Sequence, residues 1–287
     1  MKDSNISDVQ FERPGLVRRI MKAAITNPLA NYMPAGVTKA ILRFTKSELA
    51  AANWADPGGW RSMVISYEGH PKKIADRVLV SSGSMSMALR NRRRLAAKLL
   101  ARKIDECRRD VVHILCLGAG PGHIITDAML LANRPSRAML VDLSSEAFEY
   151  GQKLAAQKGL ADRVRYVQGD VRDGGGMIES PPDVVKMLGI CEYLTDEQIV
   201  AIVSAVSAVM ADESCILFNS ISRSHGTDRF FRRVLGLHMN HRSPQEMMRL
   251  VGPAGFGDFV SIPEPLGVYH VVTGRRSASG ARPPRKG

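Results

Sequence analysis

The sequence predicts an α/β protein with a mostly parallel sheet of seven strands, the last one antiparallel, preceded by a helical N-terminal region. From Val111 onward, short apolar runs alternate with amphipathic segments of helical period, which is typical of a parallel sheet covered on both faces. The last two apolar runs are separated only by the turn "PEPLG", which predicts a hairpin and therefore one reversed strand.

The N-terminal part of the chain is expected to form several helices. "GLVRRIMKAAI" and "VTKAILRFTKSELAAANW" carry apolar residues at helical spacing, "WADPGGW" interrupts the pattern, and "PKKIADRVLV" suggests a further helix. A long helix is expected from about 84–86 to Arg109. We interpret 1–109 as a lid over the site of a domain at 110–275, because such a cover excludes water from a reacting centre. The basic, Pro/Gly/Ser-rich segment 276–287 is expected to be disordered.

The second part of the chain supplies the strands and the helices that connect them. The expected strands are "VVHILCL", "AMLVDL", "RVRYVQ", "DVVKML", "SCILFN", "DFVSI" and "GVYHVV". The expected helices are "HIITDAMLLANR", "SSEAFEYGQKLAAQKG", "DEQIVAIVSAVSAVMA" and "SPQEMMRLVGPAGF". Because ligands of open parallel sheets bind beyond the carboxyl ends of the strands, the residues that follow each strand are the candidate site residues.

Charge and composition limit the classes of partner. The formal net charge is +12, and the stretch from Arg90 to Lys103 holds seven basic residues and no acidic one. Such a stretch could serve a nucleic acid or an acidic lipid, but no aromatic residues interleave with it as a single-strand binding groove would need, and a solvated helix face is favoured. No apolar run is long enough to span a membrane or to form a secretory signal, and the four cysteines lack metal-ligand or redox spacing. We therefore expect a cytoplasmic protein with reduced thiols and no metal site.

Glycines and carboxylates follow the first three strands. Gly118, Gly120 and Gly122 come directly after the first strand, where positive φ angles and a helix N-terminus can expose backbone N–H groups to a ligand. Asp142 ends the second strand and could accept both hydroxyls of a ribose, or could instead cap the next helix. Asp170 follows the third strand, where its carboxylate could reach an adenine edge with Val171 beside the ring.

The ordered series "LGAGPG", "VD" and "GD", each at the end of a strand, resembles the motifs of class I S-adenosylmethionine (SAM)-dependent methyltransferases over Val111 to about Arg275. The resemblance implies a Rossmann-like sheet of seven strands with the last hairpin reversed, and SAM as cofactor. A dinucleotide is disfavoured, because the G-x-G-x-x-G turn would need glycine at His123. The cofactor-binding residues that the resemblance implies are Gly118, Ala119, Gly120 and Gly122 near the methionine part, Asp142 and Leu143 at the ribose, Asp170 and Val171 at the adenine, and Gly189 near the amino group.

Candidate reactive groups follow the fourth and fifth strands. In "MLGICEYL", Glu192 could bind an ammonium group or take a proton, and Tyr193 could donate a hydrogen bond or present its ring to the sulfonium. Both could instead be structural. Asn219 and Ser220 are expected to face the substrate from the end of the fifth strand. Cys191 is expected to be a buried, inert thiol, and His225 and His238 are expected to be solvated. Arg92 is expected on an exposed helix face. Alternatively, Arg92 and Tyr67 could contact an acidic group such as the cofactor carboxylate.

These residues predict a SAM-dependent enzyme that transfers a methyl group to a small molecule. A second hypothesis keeps the cofactor but changes the reaction, because "MLGICEYL" and the helical N-terminal region are also similar to nicotianamine synthases and azetidine-2-carboxylate synthases. Such an enzyme would transfer the aminocarboxypropyl group or cyclise SAM itself, releasing methylthioadenosine. RNA methylation, suggested by the basic stretch and tail, and a non-catalytic cofactor-binding scaffold are further alternatives.

Overall fold

Seven strands form one mixed sheet in the computed structural model, which describes residues 8–81, 83–173 and 180–277. The strands are β1 (Val112–Leu117), β2 (Ser136–Asp142), β3 (Val164–Gln168), β4 (Val184–Met187), β5 (Cys215–Ile221), β6 (Phe256–Pro263) and β7 (Tyr269–Arg276). Their order across the sheet is β3-β2-β1-β4-β5-β7-β6. The strands β1 to β5 are mutually parallel, and β7 runs antiparallel to both β5 and β6. The Rossmann-like α/β fold with a reversed last strand is therefore confirmed.

Twelve α-helices lie within the described residues. Those before the sheet are α1 (Leu16–Met21), α2 (Asn27–Tyr32), α3 (Ala35–Phe44), α4 (Glu48–Ala55), α5 (Trp60–Glu68), α6 (Ile74–Asp76) and α7 (Ser84–Glu106). Those within the sheet domain are α8 (His123–Leu131), α9 (Ser145–Gln157), α10 (Asp196–Val209), α11 (Asp228–Phe230) and α12 (Pro244–Val251). The sequence pattern did not predict α5 as a separate helix, and the long helix α7 ends earlier than expected. From position 278 onward, the predicted disordered tail lies outside the described residues.

The period-two alternation of β1 divides its side chains between two apolar layers. Ile114 and Cys116 pack with α7 and α8 on one face, and Leu115 and Leu117 pack with α10 and α12 on the other. All four side chains are buried, as expected for a strand in the middle of a parallel sheet. This double coverage leaves the carboxyl ends of the strands as the place where loops can build a site.

Local signals in the sequence fix where the covering helices begin. Thr195 and Gln198 form a reciprocal capping box at the start of α10, and Ser243 and Glu246 form another at the start of α12. The capping box at Thr195 lies at the end of the loop that follows β4, so it fixes where this loop ends and α10 begins.

The N-terminal helices pack on the segment that follows β5. A third apolar cluster joins Leu42 and Leu89 to Leu235 and Tyr269. The Trp54 indole donates a hydrogen bond to the Val234 carbonyl oxygen at 2.7 Å. Within the described ranges, none of the helices has both the length and the apolar character needed to cross a membrane.

The basic stretch of α7 differs from the expectation of a solvated helix face. Arg90 is 7% exposed and Arg92 is 1% exposed, so that expectation is wrong for both residues. The cause is pairing, because every basic side chain of the stretch lies within ion-pair distance of a carboxylate. The pairs are Arg90–Glu12, Arg92–Glu192, Arg93–Asp127, Arg94–Glu12, Lys98–Asp8, Arg102–Glu106 and Lys103–Glu106.

Candidate active site

The glycine turn after β1 has the backbone conformation that the sequence suggested. The φ angles of Gly118, Gly120 and Gly122 are 60°, 52° and 82°, in the left-handed region that favours glycine. At Gly122 a Cβ atom would also lie 2.4 Å from the Cδ2 atom of Leu140, so the turn packs too closely for a larger residue. Helix α8 starts at the next residue, which directs its N-terminus toward the same turn.

Asp142 connects the end of β2 to this turn. One of its carboxylate oxygens accepts a hydrogen bond from the Gly120 N–H at 2.7 Å, and the other accepts from the Ser144 N–H at 3.1 Å. Each carboxylate oxygen has a further lone pair, so the group retains acceptor capacity for ligand hydroxyls. The helix cap is supplied by Ser144, whose hydroxyl accepts from the Ala147 N–H. Asp142 is therefore not needed as the cap of α9.

A cavity of about 380 Å³ brings eight of the predicted site residues together. The N-terminal part of the chain closes its other side with the turn before α5 and with Trp60, Met63 and Tyr67. Trp60 lies beside the turn, because a Cβ atom on Gly120 would be 3.7 Å from the Cβ atom of Trp60, an ordinary van der Waals distance. The predicted residues that line the cavity are Gly118, Ala119, Gly120, Gly122, Asp142, Leu143, Gly189 and Tyr193.

Asp170 and Val171 are not among the residues that line this cavity. The Asp170 carboxylate forms an ion pair with Arg172, whose hydrogen bonds lower the pKa of Asp170 to about 2. Val171 is buried in the apolar layer beside α10. Their predicted role at the adenine remains a prediction.

A buried polar network lies behind Gly189. The Glu192 carboxylate accepts from the Arg92 guanidinium at 3.1 Å and from the Asn219 side-chain amide at 3.3 Å. The Asn219 side-chain oxygen in turn accepts from the Gly189 N–H at 2.7 Å. Glu192 and Asn219 are 3% and 1% exposed, and their hydrogen bonds hold the loop after β4 in place. Their predicted contact with substrate remains a prediction.

Arg92 of this network also lines the first cavity, and the expectation that it lies on an exposed helix face is wrong. Its guanidinium lies 4.4 Å from the ring centroid of Tyr269 and donates to the Tyr67 hydroxyl at 3.5 Å. Burial alone would lower the pKa of Arg92, but Tyr67, Tyr269 and Glu192 raise it, so the charge is retained. Arg92 is among the residues that line the cavity, and among the described residues its Nε atom has no hydrogen-bond partner.

A second cavity of about 240 Å³ adjoins the first. Four residues line both, namely Gly58, Met63, Gly189 and Tyr193. The Tyr193 hydroxyl lies against Gly58, where a Cβ atom would be 2.4 Å from the hydroxyl oxygen. Tyr193 is 39% exposed, but the packing of the protein around its ring and the Glu192 charge raise its pKa, so its hydroxyl stays protonated and can donate a hydrogen bond. The second cavity is also lined by many apolar residues, including Leu49, Leu89, Phe230, Leu237 and Met239, and by the predicted site residue Glu192.

The structure does not bring Ser220 to either cavity. Successive residues of a strand face opposite sides of the sheet, so Asn219 and Ser220 cannot share one rim. Asn219 points to Glu192 and Gly189, while Ser220 is 3% exposed and lies on the other face.

Cys191 and two histidines complete the set of expected residues. Burial raises the pKa of the Cys191 thiol to about 12, as expected for an inert buried cysteine. His238 is exposed, but His225 is fully buried, so the expectation of a solvated ring is wrong for His225. The reason is that its ring stacks against His241 and packs on Phe231.

His225, Asp228 and His241 place ligand atoms within 4.8 Å of one another, the spacing of a metal site. However, the His225 Nδ1 atom accepts from the Thr227 N–H at 3.2 Å, which leaves the proton on Nε2. That Nε2 atom then donates to the Nε2 atom of His241 at 3.3 Å. The pair is not fully satisfied, because among the described residues the His241 Nδ1 atom and one Asp228 carboxylate oxygen are buried without a hydrogen-bond partner.

Lys186 lines the first cavity, although the sequence pattern did not single it out. It lies in the middle of β4, is 3% exposed, and donates to the Leu188 carbonyl oxygen at 3.0 Å. A lysine between apolar residues in "DVVKML" is unusual for a buried strand, and this was a usable signal. Trp60 and Tyr269 gave no comparable signal, because single aromatic residues are common in cores.

A family model described as "Putative methyltransferase" matches residues 69–276. The chain belongs to this methyltransferase family. The match spans the sheet, the glycine turn and α7, and with the observed strand order it identifies the chain as a class I SAM-dependent methyltransferase. The predicted superfamily and enzyme class are thereby confirmed.

Two curated relatives from Escherichia coli K12 match parts of the chain. The uncharacterized protein YnbC is 29% identical over 171 residues, covering 56% of this chain and 29% of YnbC. The tRNA 5-carboxymethoxyuridine methyltransferase is 25% identical over 97 residues, covering 34% of this chain and 36% of that enzyme. The chain therefore matches only about a third of the length of each relative.

Solved structures share the fold at low sequence identity. A possible exported protein from Bordetella parapertussis is 13% identical, with a TM-score of 0.63 over 86% of this chain and 98% of that chain. The SAM-dependent methyltransferase SibL is 17% identical, with a TM-score of 0.57 over 91% of this chain and 73% of that chain. Both likenesses extend beyond the sheet domain into the N-terminal helices, because each covers more of the chain than 110–275.

Proposed function

We propose that the protein transfers a methyl group from SAM, held in the first cavity, to a largely apolar small molecule held in the second. The main support for this proposal is that Gly189 and Tyr193 line both cavities, so the two cavities join there. A donor and an acceptor bound on the two sides of this junction would approach each other without crossing solvent, which is the proximity that methyl transfer needs. The apolar lining of the second cavity favours a small molecule over a nucleotide.

The first cavity fits SAM by the chemistry of its donors and acceptors. The exposed N–H groups of the glycine turn and the remaining acceptor capacity of Asp142 suit polar groups and ribose hydroxyls. The Arg92 guanidinium, whose residue lines this cavity, suits the carboxylate of the methionine part. When bound, SAM supplies an electrophilic methyl group on a sulfonium, so the protein needs chiefly to position the acceptor and to exclude water.

The residues around the junction are suited to positioning. Tyr193 keeps its proton and can hold an acceptor oxygen or nitrogen by a hydrogen bond. The Glu192 carboxylate is engaged by Arg92 and Asn219, so in this proposal it is a positioning residue and not a free base. The N-terminal helices act as the lid, because residues 56–60 and α5 close the first cavity on the side away from the sheet.

RNA methylation is the weaker alternative. The basic residues of α7 that suggested it are all paired with carboxylates, so they leave little charge for phosphates. The similarity to a tRNA methyltransferase covers 34% of the chain. Aminocarboxypropyl transfer and cyclisation of SAM would use the same first cavity. They are distinguished from methyl transfer by their product, which is methylthioadenosine.

The deciding experiment incubates the protein with SAM, alone and with a small-molecule extract, and identifies the nucleoside product by mass. S-adenosylhomocysteine that appears only with the extract supports the proposal, whereas methylthioadenosine without any acceptor overturns it in favour of cyclisation.

Calorimetric titration with SAM tests the cofactor site separately. Asp142→Asn should weaken SAM binding by roughly tenfold or more, because charge-assisted hydrogen bonds to the ribose are lost. The exposed Asp162→Asn is the matched control and should bind as the unmodified protein does. Equal affinity of the two variants would refute the assignment of Asp142.

A further inference from the structure

The first three helices carry an unusually large exposed apolar surface. Many large apolar side chains on α1, α2, α3 and the π-helical segment Lys22–Thr26 between α1 and α2 are between 47% and 88% exposed. Val17, Met21, Ile25 and Leu29 recur every four residues and so form one stripe along a helical face. We name this surface the α1–α3 surface, and its exposed apolar residues are Leu16, Val17, Ile20, Met21, Ile25, Leu29, Tyr32, Val37, Ile41 and Phe44.

The charge of the same segment has one sign. No Asp or Glu occurs between Glu12 and Glu48, whereas seven basic residues do. Within the described part of the chain, none of the seven forms an ion pair with a carboxylate, in contrast to the paired residues of α7. The seven are Arg13, Arg18, Arg19, Lys22, Lys39, Arg43 and Lys46.

This combination identifies the partner by its chemistry. A second copy of the chain would bring basic residues against basic residues, because a two-fold interface joins identical patches. A nucleic acid would match the charge but would leave the apolar stripe in water. An anionic lipid surface matches both, since apolar side chains enter the acyl boundary while Lys and Arg contact the headgroups.

The surface is also continuous with the second cavity. Arg18, Met21 and Lys22 of this segment line that cavity, and both Arg18 and Met21 are exposed to solvent. The cavity therefore opens on the α1–α3 surface. Its lining combines apolar residues with polar ones and extends from Arg18 and Met21 to the junction at Tyr193.

We infer that the α1–α3 surface docks on an anionic lipid bilayer and that the methyl acceptor is an amphiphile that enters the second cavity from that bilayer. The docking follows from the surface alone. The identity of the acceptor rests on the proposed methyl transfer.

Vesicle flotation of the full-length protein tests the docking. The protein should float with phosphatidylglycerol-containing vesicles, remain unbound with pure phosphatidylcholine, and be released by high salt. The triple variant L16S/V17S/I20S and the double variant R18E/R19E should each bind roughly tenfold or more weakly. Equal binding to both vesicle types, or dimerisation in light scattering without vesicle binding, would overturn the docking.

Matched controls exclude general effects of the substitutions. Leu130 and Leu131 are 55% and 53% exposed on α8, so L130S/L131S removes exposed apolar surface elsewhere. K153E/R249E changes the net charge as R18E/R19E does, at exposed positions of the sheet domain. Both control variants should float like the unmodified protein. If they lost as much binding as the α1–α3 variants, the assignment of docking to the α1–α3 surface would be refuted.

A second assay tests the acceptor. The protein is incubated with methyl-labelled SAM and vesicles of a total lipid extract, and the organic phase is counted. Label in the organic phase that is lost in Asp142→Asn supports an amphiphilic acceptor. Vesicle binding without labelled lipid overturns the acceptor and leaves the docking standing. Failure of methyl transfer itself is recognised separately, because no S-adenosylhomocysteine then forms in the incubation with the small-molecule extract.

Discussion

The buried pair of Arg92 and Glu192 provides the sharpest test of how the site is held together. Their side chains are 1% and 3% exposed and their charged atoms are 3.1 Å apart. Removing one member leaves the other charge buried and unpaired, which costs about 3–5 kcal/mol. Arg92→Met and Glu192→Gln should therefore each destabilise the protein by about that much, corresponding to roughly 10 °C in the unfolding midpoint.

The double variant R92M/E192Q contains neither charge and should be destabilised by less than the sum of the single effects, with a coupling energy of about 3 kcal/mol. Urea unfolding followed by the fluorescence of Trp54 and Trp60 measures all three free energies. Arg94→Met is the control, because the Arg94 side chain is 42% exposed and its ion pair with Glu12 should contribute less than about 1 kcal/mol. Additive losses in the double variant, or equal losses in the Arg92 and Arg94 variants, would refute the reasoning.

Two further predictions concern pH and the junction. Burial lowers the pKa values of His123 and His225 to about 4, so the stability they contribute is complete above the unfolded value of about 6.5 and is lost as the pH falls toward 4. The free energy of unfolding should fall by up to about 3 kcal/mol per histidine over this range, and His225→Asn should reduce the slope; an unchanged slope would contradict the assignment. Gly58→Ala should displace Tyr193 and so lower turnover. Steady-state kinetics measures the effect on kcat and the effect on KM separately. Gly159→Ala, which has a similar positive φ and nothing within 4 Å of its added Cβ, should retain full turnover, and equal losses would exclude a role for the junction.

The parts of the site that were predictable depend on local sequence. The glycine turn and Asp142 could be found because a strand end, a positive-φ turn and a helix start are written in neighbouring residues. The reversal of β7 was equally local, since the short "PEPLG" turn allows no crossover. The alternation of Asn219 and Ser220 could also have been used, because two adjacent strand residues cannot face one cavity.

The parts that were not predictable depend on distant partners. Arg92 was expected on an exposed face because its helix is rich in basic residues, yet Glu192 lies 100 positions further along the chain. The burial of His225 depends in the same way on His241 and Phe231, which no local pattern joins to it. Residues of the N-terminal helices and of the loops after β4 and β5 line the second cavity together. These segments are far apart in the sequence, so only the packed structure shows the cavity.

The account depends most directly on what the first cavity binds. A crystal structure of the protein with S-adenosylhomocysteine should place that ligand between the glycine turn and Gly189, with the ribose on Asp142 and the carboxylate on Arg92. A ligand bound elsewhere on the molecule, or bound in this cavity with no contact to Asp142, would contradict it.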